Sequence, residues 1–222
     1  MRGNESAERG RVGLSRQRVL EGAVTIADAD GIGALTIRSL AQHLGVKPMS
    51  LYYYVANKSE ILDAMVDIVF SAIDVPAGDG GDWRSEIRLR ATSARDVLSR
   101  HSWAIGLLDS RTSPGPDTMR HHDAMLGTLR AAGFTIETAA HAYVLINSYV
   151  YGFALQEAAL PFDGPDAGTV AVPMIQQRPD GEHPHLRELA TRHIPQPGND
   201  LGDEFDFGLN LILDALSRLI PG

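Results

Sequence analysis

Apolar residues recur every three to four positions along most of this chain and nowhere alternate with period two, so the pattern predicts helices and no sheet. Val19, Leu20, Ala23, Ile26 and Ala27 form a first stripe. It starts after Ser15, whose hydroxyl can accept an early backbone N–H, and runs through Asp30 before Gly31 and Gly33 end it. Thr36 caps a second helix in which Leu40, Ala41 and Leu44 face inward, and Gly45 supplies the left-handed residue that closes it. A third helix begins near Lys47–Pro48, since proline suits a first turn where its missing N–H is not needed, and ends about Tyr54. Asn57 opens a long fourth helix with Ile61, Leu62, Met65, Ile68 and Val69 at helical spacing.

The stretch VPAGDGGD, Val75 to Asp82, breaks this pattern with three glycines and marks a domain-like boundary. Beyond it the spacing predicts helices near 83–100, 102–110, 116–132, 135–158 and 203–220, with Gly133–Phe134 as a tight corner. Seven of the twelve prolines fall between Pro161 and Pro197, which predicts a long loop with one short helix near His185–His193. Two helices are too apolar for the surface of a monomer. In 203–220 the stripe Phe205, Leu209, Ile212, Leu213, Leu216 and Ile220 is widened by Phe207 and Leu211. In 135–158, Tyr143, Ile146, Val150, Phe153 and Ala154 share a side, while Ala139, Ala140 and Ala142 permit close approach.

Composition narrows the chemistry. None of the 222 residues is cysteine, which excludes disulfides, thiolate metal sites and cysteine nucleophiles. The first fourteen residues lack the apolar run of a secretory signal. The most membrane-like stretch, Ala142 to Leu155, is interrupted by Asn147 and Ser148, whereas a spanning helix needs roughly 20 largely apolar residues. A cytoplasmic protein with no membrane partner is expected. Net charge is −8 but uneven: residues 1–60 carry eight Lys/Arg against six Asp/Glu, or +2, and the rest carries twelve against twenty-two, or −10. Both lysines of the chain, Lys47 and Lys58, bracket the run Tyr52, Tyr53 and Tyr54. An acidic body with a mildly basic head suggests two tasks in one chain.

A longer helix followed by two short ones joined at Gly45–Val46 has the elements of a helix-turn-helix, whose second short helix enters the DNA major groove. Lys47, Pro48, Met49 and Ser50 would then face base edges or nearby phosphates, with Leu51 and Val55 packed inward. Tyr52, Tyr53 and Tyr54 would offer hydroxyls to phosphates and ring faces to thymine methyls, and Lys58 would neutralise a phosphate. Arg38 is a further phosphate candidate. Arg2, Arg9 and Arg11 precede the first helix on an arm that could reach a minor groove or phosphate, diluted by Glu5 and Glu8.

The stretch LTIRSLAQHLGVKPMSLYYYVANKSEILDAM resembles the N-terminal domain of the TetR (tetracycline repressor) family over about residues 15–64. The matching features are Thr36-x-Arg38-x-Leu40-Ala41, Leu44-Gly45-Val46, Ser50-Leu51-Tyr52-Tyr53-Tyr54-Val55, Asn57-Lys58 and Leu62. The C-terminal half is similar to the same family in helix order and in patches such as DWR at 82–84, AAGF at 131–134 and YGFALQE at 151–157. The resemblance implies an all-α homodimer that binds double-stranded operator DNA with palindromic symmetry. It implies a flexible arm over 1–14, a three-helix DNA-binding head over 15–60, and a helical ligand-binding and dimerisation domain over 61–222. The helices near 135–158 and 203–220 would pair with their twofold mates.

Ligand capture needs an apolar cavity with a few placed polar groups, and the candidates are Trp103, Leu107, Met119, His122, Met125, Leu126, Tyr143, Asn147, Tyr151 and Gln156. Aligning on Gly152 puts Ser148 and Gln156 where tetracycline-binding members would have a histidine and a glutamate, so the resemblance does not extend to a magnesium–tetracycline ligand. His121, His122 and Asp123 are adjacent on one helix and cannot all face one ion, His183-x-His185 lies in the proline-rich loop, and no HExxH pattern occurs. No metal, no cofactor and no catalytic residue is expected. The resulting expectation is a regulator released from its operator by a small molecule. The alternatives are a DNA-binding protein without ligand response and a small helical enzyme using His122 or His141.

Overall fold

Ser15 accepts the Arg18 backbone N–H at 3.2 Å and starts α1, Arg16–Asp30, so the first helix begins at the hydroxyl expected to cap it. In the computed structural model, which describes residues 13–76, 81–108, 110–160, 172–175, 177, 182–194 and 201–221, every regular element is helical. A 3-10 turn, Ile32–Ala34, leads to α2, Ile37–Leu44. There Thr36 and Ser39 exchange backbone N–H bonds in a capping box, at 3.0 and 2.9 Å. Gly45 sits at φ 68°, ψ 32°, a left-handed conformation that glycine adopts without strain, and its N–H returns to Ala41 and Gln42. Then come α3, Pro48–Leu51, and α4, Lys58–Ser71, capped by Asn57 through the Glu60 N–H at 2.9 Å.

The body is built from α5, Trp83–Arg100; a 3-10 segment, Ser102–Leu107; α6, Pro116–Ala131; α7, Ile136–Ala158; α8, Pro184–Arg192; and α9, Leu201–Ser217. Two elements differ from the expected pattern. The third helix stops at Leu51 rather than about Tyr54, and the Tyr54 and Val55 N–H groups both return to the Leu51 carbonyl, at 2.9 and 3.1 Å. Consecutive aromatic residues have low helix propensity, and the chain must be extended at Asn57 to cap α4. The 102–110 helix is a 3-10 segment ending at Leu107, because His101 leaves helical geometry at φ −122°, ψ 50°. Of the proline-rich stretch, α8 forms where a short helix is expected; 161–171, 178–181 and 195–200 lie outside the described residues, as do the arm arginines Arg2, Arg9 and Arg11 and the linker positions 77–80.

One apolar core runs from Val19 in α1 to Leu216 in α9 without a break between head and body. The helix α4 packs on α1 and on α6, and α5 and α7 pack closely together with α6 against both. Arg95 ties α5 to α7 and α9. It holds Glu157 of α7 with bonds of 2.9 and 2.5 Å and lies over the Phe153 and Phe205 rings at 5.2 and 5.1 Å. Gly208 lets α9 approach α7, because a Cβ there would collide with the Tyr149 ring, whose hydroxyl donates to the Phe205 carbonyl at 2.9 Å. Arg84 of α5 pairs with Asp214 of α9. Among the described residues no helix is long and apolar enough to cross a membrane.

His121 is wholly buried on α6. Burial, joined by the nearby positive charges of Arg90 and Arg120, pushes its pKa from 6.5 down to about 4. The folded chain therefore keeps this ring neutral between pH 6.5 and about 4, while the unfolded chain protonates it, so folding stability falls as pH drops through that window. The loss should reach roughly 3 kcal/mol by pH 4. Urea unfolding of wild type and His121→Gln between pH 7 and 4.5 measures it: the wild type should lose more stability on acidification than the variant, and parallel curves would refute the assignment.

Candidate functional site

The head presents a surface free of acidic side chains. Between Gly31 and Ser59 the chain carries Arg38, Lys47 and Lys58 and no Asp or Glu, and all three cations are exposed. Leu51 and Val55 are buried, which fixes the rotation of α3 and turns the neighbouring side chains outward. Tyr53 is 88% exposed, Met49 71% and Tyr52 46%, and Pro48 is also exposed. Ser50 and Tyr54 are half-buried, with Tyr54 packed against the core. The nine residues expected to meet DNA thus lie on α2, on α3 and the residues flanking it, and at the first position of α4. Seven are exposed, and Ser50 and Tyr54 form the inner edge of the group. An exposed methionine and two exposed tyrosines contribute nothing to a monomer's core. They are suited to contacts with base edges, thymine methyls and phosphates.

Glu60 steadies the start of α4 beneath this surface. Its carboxylate accepts the Ala56 backbone N–H at 2.6 Å and the Arg16 guanidinium at 3.2 Å. These bonds, the backbone bond first, hold its pKa below the usual glutamate value.

Three polar joints connect head to body. Asp28 of α1 accepts the Trp103 indole N–H at 2.6 Å and lies 2.7 Å from His101 Nδ1. Arg111 donates to Asp63 and Ser59 of α4 at 2.6 and 2.7 Å. Asp67 of α4 accepts both the backbone N–H and the hydroxyl of Thr118, at 2.8 and 3.0 Å. Gly115 makes this last contact possible, since a Cβ there would strike the Asp67 carboxylate. Beside these joints a cleft of about 390 Å³ opens between α1, α4 and the start of α6, lined by residues including Arg16, Leu20, Asp63, Asp67 and Asp117. Sequence spacing does not reveal these pairs, because each joins residues 48 to 75 positions apart.

The structure separates the ten expected ligand residues into two groups. His122, Met125 and Leu126 on α6, Tyr143, Asn147 and Tyr151 on α7, and Leu107 are buried or half-buried within the body. Tyr143 Oη lies 2.7 Å from His122 Nδ1, and the His122 ring meets Phe70 of α4 edge-on at 5.4 Å. Trp103, Met119 and Gln156 stand apart. The Trp103 indole N–H is engaged by Asp28 at the head, and Met119 and Gln156 face solvent. The sequence reading passed over Arg90, which is buried on the α5 stripe Ile87, Ala91, Ala94 and Leu98. An arginine in register with that stripe is the signal that could have found it. Among the described residues no group of His, Asp and Glu is arranged to hold a metal ion.

Residues 19–65 match the sequence model of the bacterial regulatory proteins of the tetR family, and residues 75–220 match the tetracyclin repressor-like C-terminal domain. The HTH-type transcriptional repressor DrrR1 of Streptomyces coeruleorubidus is 36% identical over 217 residues, covering 93% of this chain and 78% of that protein. The class A tetracycline repressor protein from transposon 1721 of Escherichia coli is 31% identical, covering 92% and 91%. Among solved structures, ActR of Streptomyces coelicolor in complex with actinorhodin superposes with a TM-score of 0.75 at 27% identity, over 95% of this chain and all of that one. The chain belongs to the tetR family of bacterial regulatory proteins, and it is a DNA-binding transcriptional regulator with a helix-turn-helix head and a ligand-binding helical body.

Proposed function

We propose that the protein is a homodimeric repressor that holds a palindromic operator through α2 and α3 and releases it when a small molecule enters the body. The observation that carries this reading is the acid-free surface on which Lys47, Met49, Tyr53 and Lys58 stand exposed together. In it, Lys47, Pro48, Met49 and Ser50 meet base edges, Tyr52, Tyr53 and Tyr54 add phosphate and methyl contacts, and Arg38 and Lys58 neutralise phosphates. Two such heads would enter successive major grooves about one helical turn apart. The names of the repressor relatives and the ligand-bound ActR structure support release by a ligand.

Dimerisation is assigned to α7 and α9, whose Val144, Leu145, Phe207 and Leu211 remain exposed on the monomer, Phe207 at 63%. Large apolar side chains in such number on two adjacent helices call for a partner, and a second copy supplies a self-complementary one. The head extends over 15–60 and the body over 61–222 in this reading, with α4 shared. The effector, a compound other than a magnesium–tetracycline chelate, sits among Leu107, His122, Met125, Leu126, Tyr143, Asn147 and Tyr151. No catalytic step is involved, and the protein works in the cytoplasm.

Release requires that the effector bind one conformer better than the other, and moving the balance from 1:99 to 99:1 takes roughly 5.5 kcal/mol of differential affinity. The route offered by the contacts runs from the α6 rings to Phe70, which lies 5.7 Å from His121 and 5.4 Å from His122, and through the Asp67–Thr118 bonds to the rest of α4.

Salt-dependent binding to a pool of genomic fragments, with sequencing of what is retained, tests the whole reading: a palindromic site should emerge. Lys58→Ala should weaken binding to every sequence and reduce the salt slope by about 2, one for each subunit, whereas Met49→Ala should alter base preference by about 1–3 kcal/mol at its contacts. An unchanged slope for Lys58→Ala would refute the docking. Leu211→Asp should convert the dimer to monomer in sedimentation at micromolar concentration; retention of the dimer would move the interface elsewhere. Asp67→Ala removes a charge-assisted pair of bonds worth about 1.5–3 kcal/mol. It should leave ligand affinity within a few fold of wild type while shrinking the ligand's effect on DNA affinity, as read by titrating ligand into the protein–operator complex.

A further inference from the structure

Arg90 is 1% exposed, and none of its three guanidinium nitrogens has a hydrogen-bond partner among the described residues. A buried cation with no counter-charge is costly, and an apolar residue of the same volume would serve the core better. It is not alone. Both ring nitrogens of His121 on α6 and Oδ1 of Asn147 on α7 are also buried without partners. The helices that carry them, α5, α6 and α7, pack on one another in the body. Arg90 is close enough to His121 for its charge to act on the ring.

The orphan atoms specify a ligand by their chemistry. The guanidinium offers only donors and demands an anion, ideally a planar one that matches its fork. A neutral His121 has one N–H to donate and one lone pair to receive, and Asn147 Oδ1 can only accept. An anionic group beside a hydroxyl would satisfy the set. The surroundings are aromatic: Phe70 lies 5.7 Å from His121 and 5.4 Å from His122, which in turn meets Tyr143 at 5.6 Å. Rings of this kind favour a flat apolar partner.

We propose that the effector is a hydroxyaromatic acid bound between α5, α6 and α7, its carboxylate on the Arg90 guanidinium and the His121 N–H, and a hydroxyl donating to Asn147 Oδ1. This deepens the reading of the protein as a ligand-responsive regulator and rests on it. Binding places the missing negative charge in the core one ring away from Phe70 of α4, so the same contact that completes the site bears on the helix that carries the head.

Two matched pairs of probes test the assignment on the full-length protein: 3-hydroxy-2-naphthoate and anthraquinone-2-carboxylate, each against its methyl ester, followed by quenching of tryptophan fluorescence. Wild type should bind at least one acid tenfold or more tightly than its ester. Arg90→Met should abolish that preference and raise the thermal unfolding midpoint, which a merely structural arginine would not do. Equal binding of acid and ester, binding of neither acid, or a lowered midpoint in Arg90→Met would overturn the proposal. A parallel retention assay on genomic DNA separates the two readings. DNA held, with neutral aromatics releasing it as well as acids do, leaves the regulator intact and removes the charge assignment. An acid preference in a protein that holds no DNA would do the reverse.

Discussion

Of the three carboxylates that join head to body, Asp67 is the one that fastens the start of a body helix. Helix α6 begins at Gly115–Pro116 with no side chain of its own to cap it, and its early N–H groups need an acceptor. Asp67 supplies one from α4, accepting the Thr118 N–H at 2.8 Å and its hydroxyl at 3.0 Å, across a gap that exists only because residue 115 has no Cβ. A negative charge at a helix N-terminus is stabilised by the helix dipole as well as by the bonds. The first turn of the helix that carries His121 and His122 is thereby fastened to the helix whose N-terminus carries Lys58. A shift of α6 cannot leave α4 unmoved while these bonds hold.

The two ends of the molecule solve opposite problems. In the head, burial of Leu51 and Val55 fixes a short element that cannot be stable alone, and the residues left outside are those proposed to meet a polyanion. Within the body, helices long enough to hold their own geometry enclose polar atoms with no hydrogen-bond partner among the described residues. Exposed aromatic and apolar groups on and just after α3, and buried polar groups without partners among the described residues on α5, α6 and α7, both depart from the ordinary distribution of residues. In the proposed reading each departure is completed by another molecule.

Stability and function pull against each other at His121 and Arg90. A buried neutral histidine beside a buried guanidinium lowers the stability of the free protein relative to an apolar pair. The rest of the core compensates through continuous packing from Val19 to Leu216 and through Arg95, whose cation is paired with Glu157 and stacked on two phenylalanine rings. Arg95 and Arg90 lie on the same helix, and the difference between them is the presence of a carboxylate.

Local chemistry made much of the molecule readable from the chain. Ser15, Thr36, Asn57 and Gly45 announced where helices begin and end because caps and left-handed residues act within a few positions. Apolar spacing located the long helices, and the residue pattern over 36–62 identified the DNA-reading head. Less was legible where competing demands met: α3 ends earlier than its pattern suggests, and 102–107 winds as a 3-10 segment, because the following cap and the Trp103–Asp28 bond decide those turns. Which polar side chains find partners was settled only by the tertiary structure. Asp28 with Trp103, Asp63 with Arg111 and Asp67 with Thr118 meet because helices far apart in sequence pack together, and Arg90 is left without a hydrogen-bond partner among the described residues for the same reason. Pairing across such distances is set by the three-dimensional arrangement of helices, on which periodicity along a single helix carries no information.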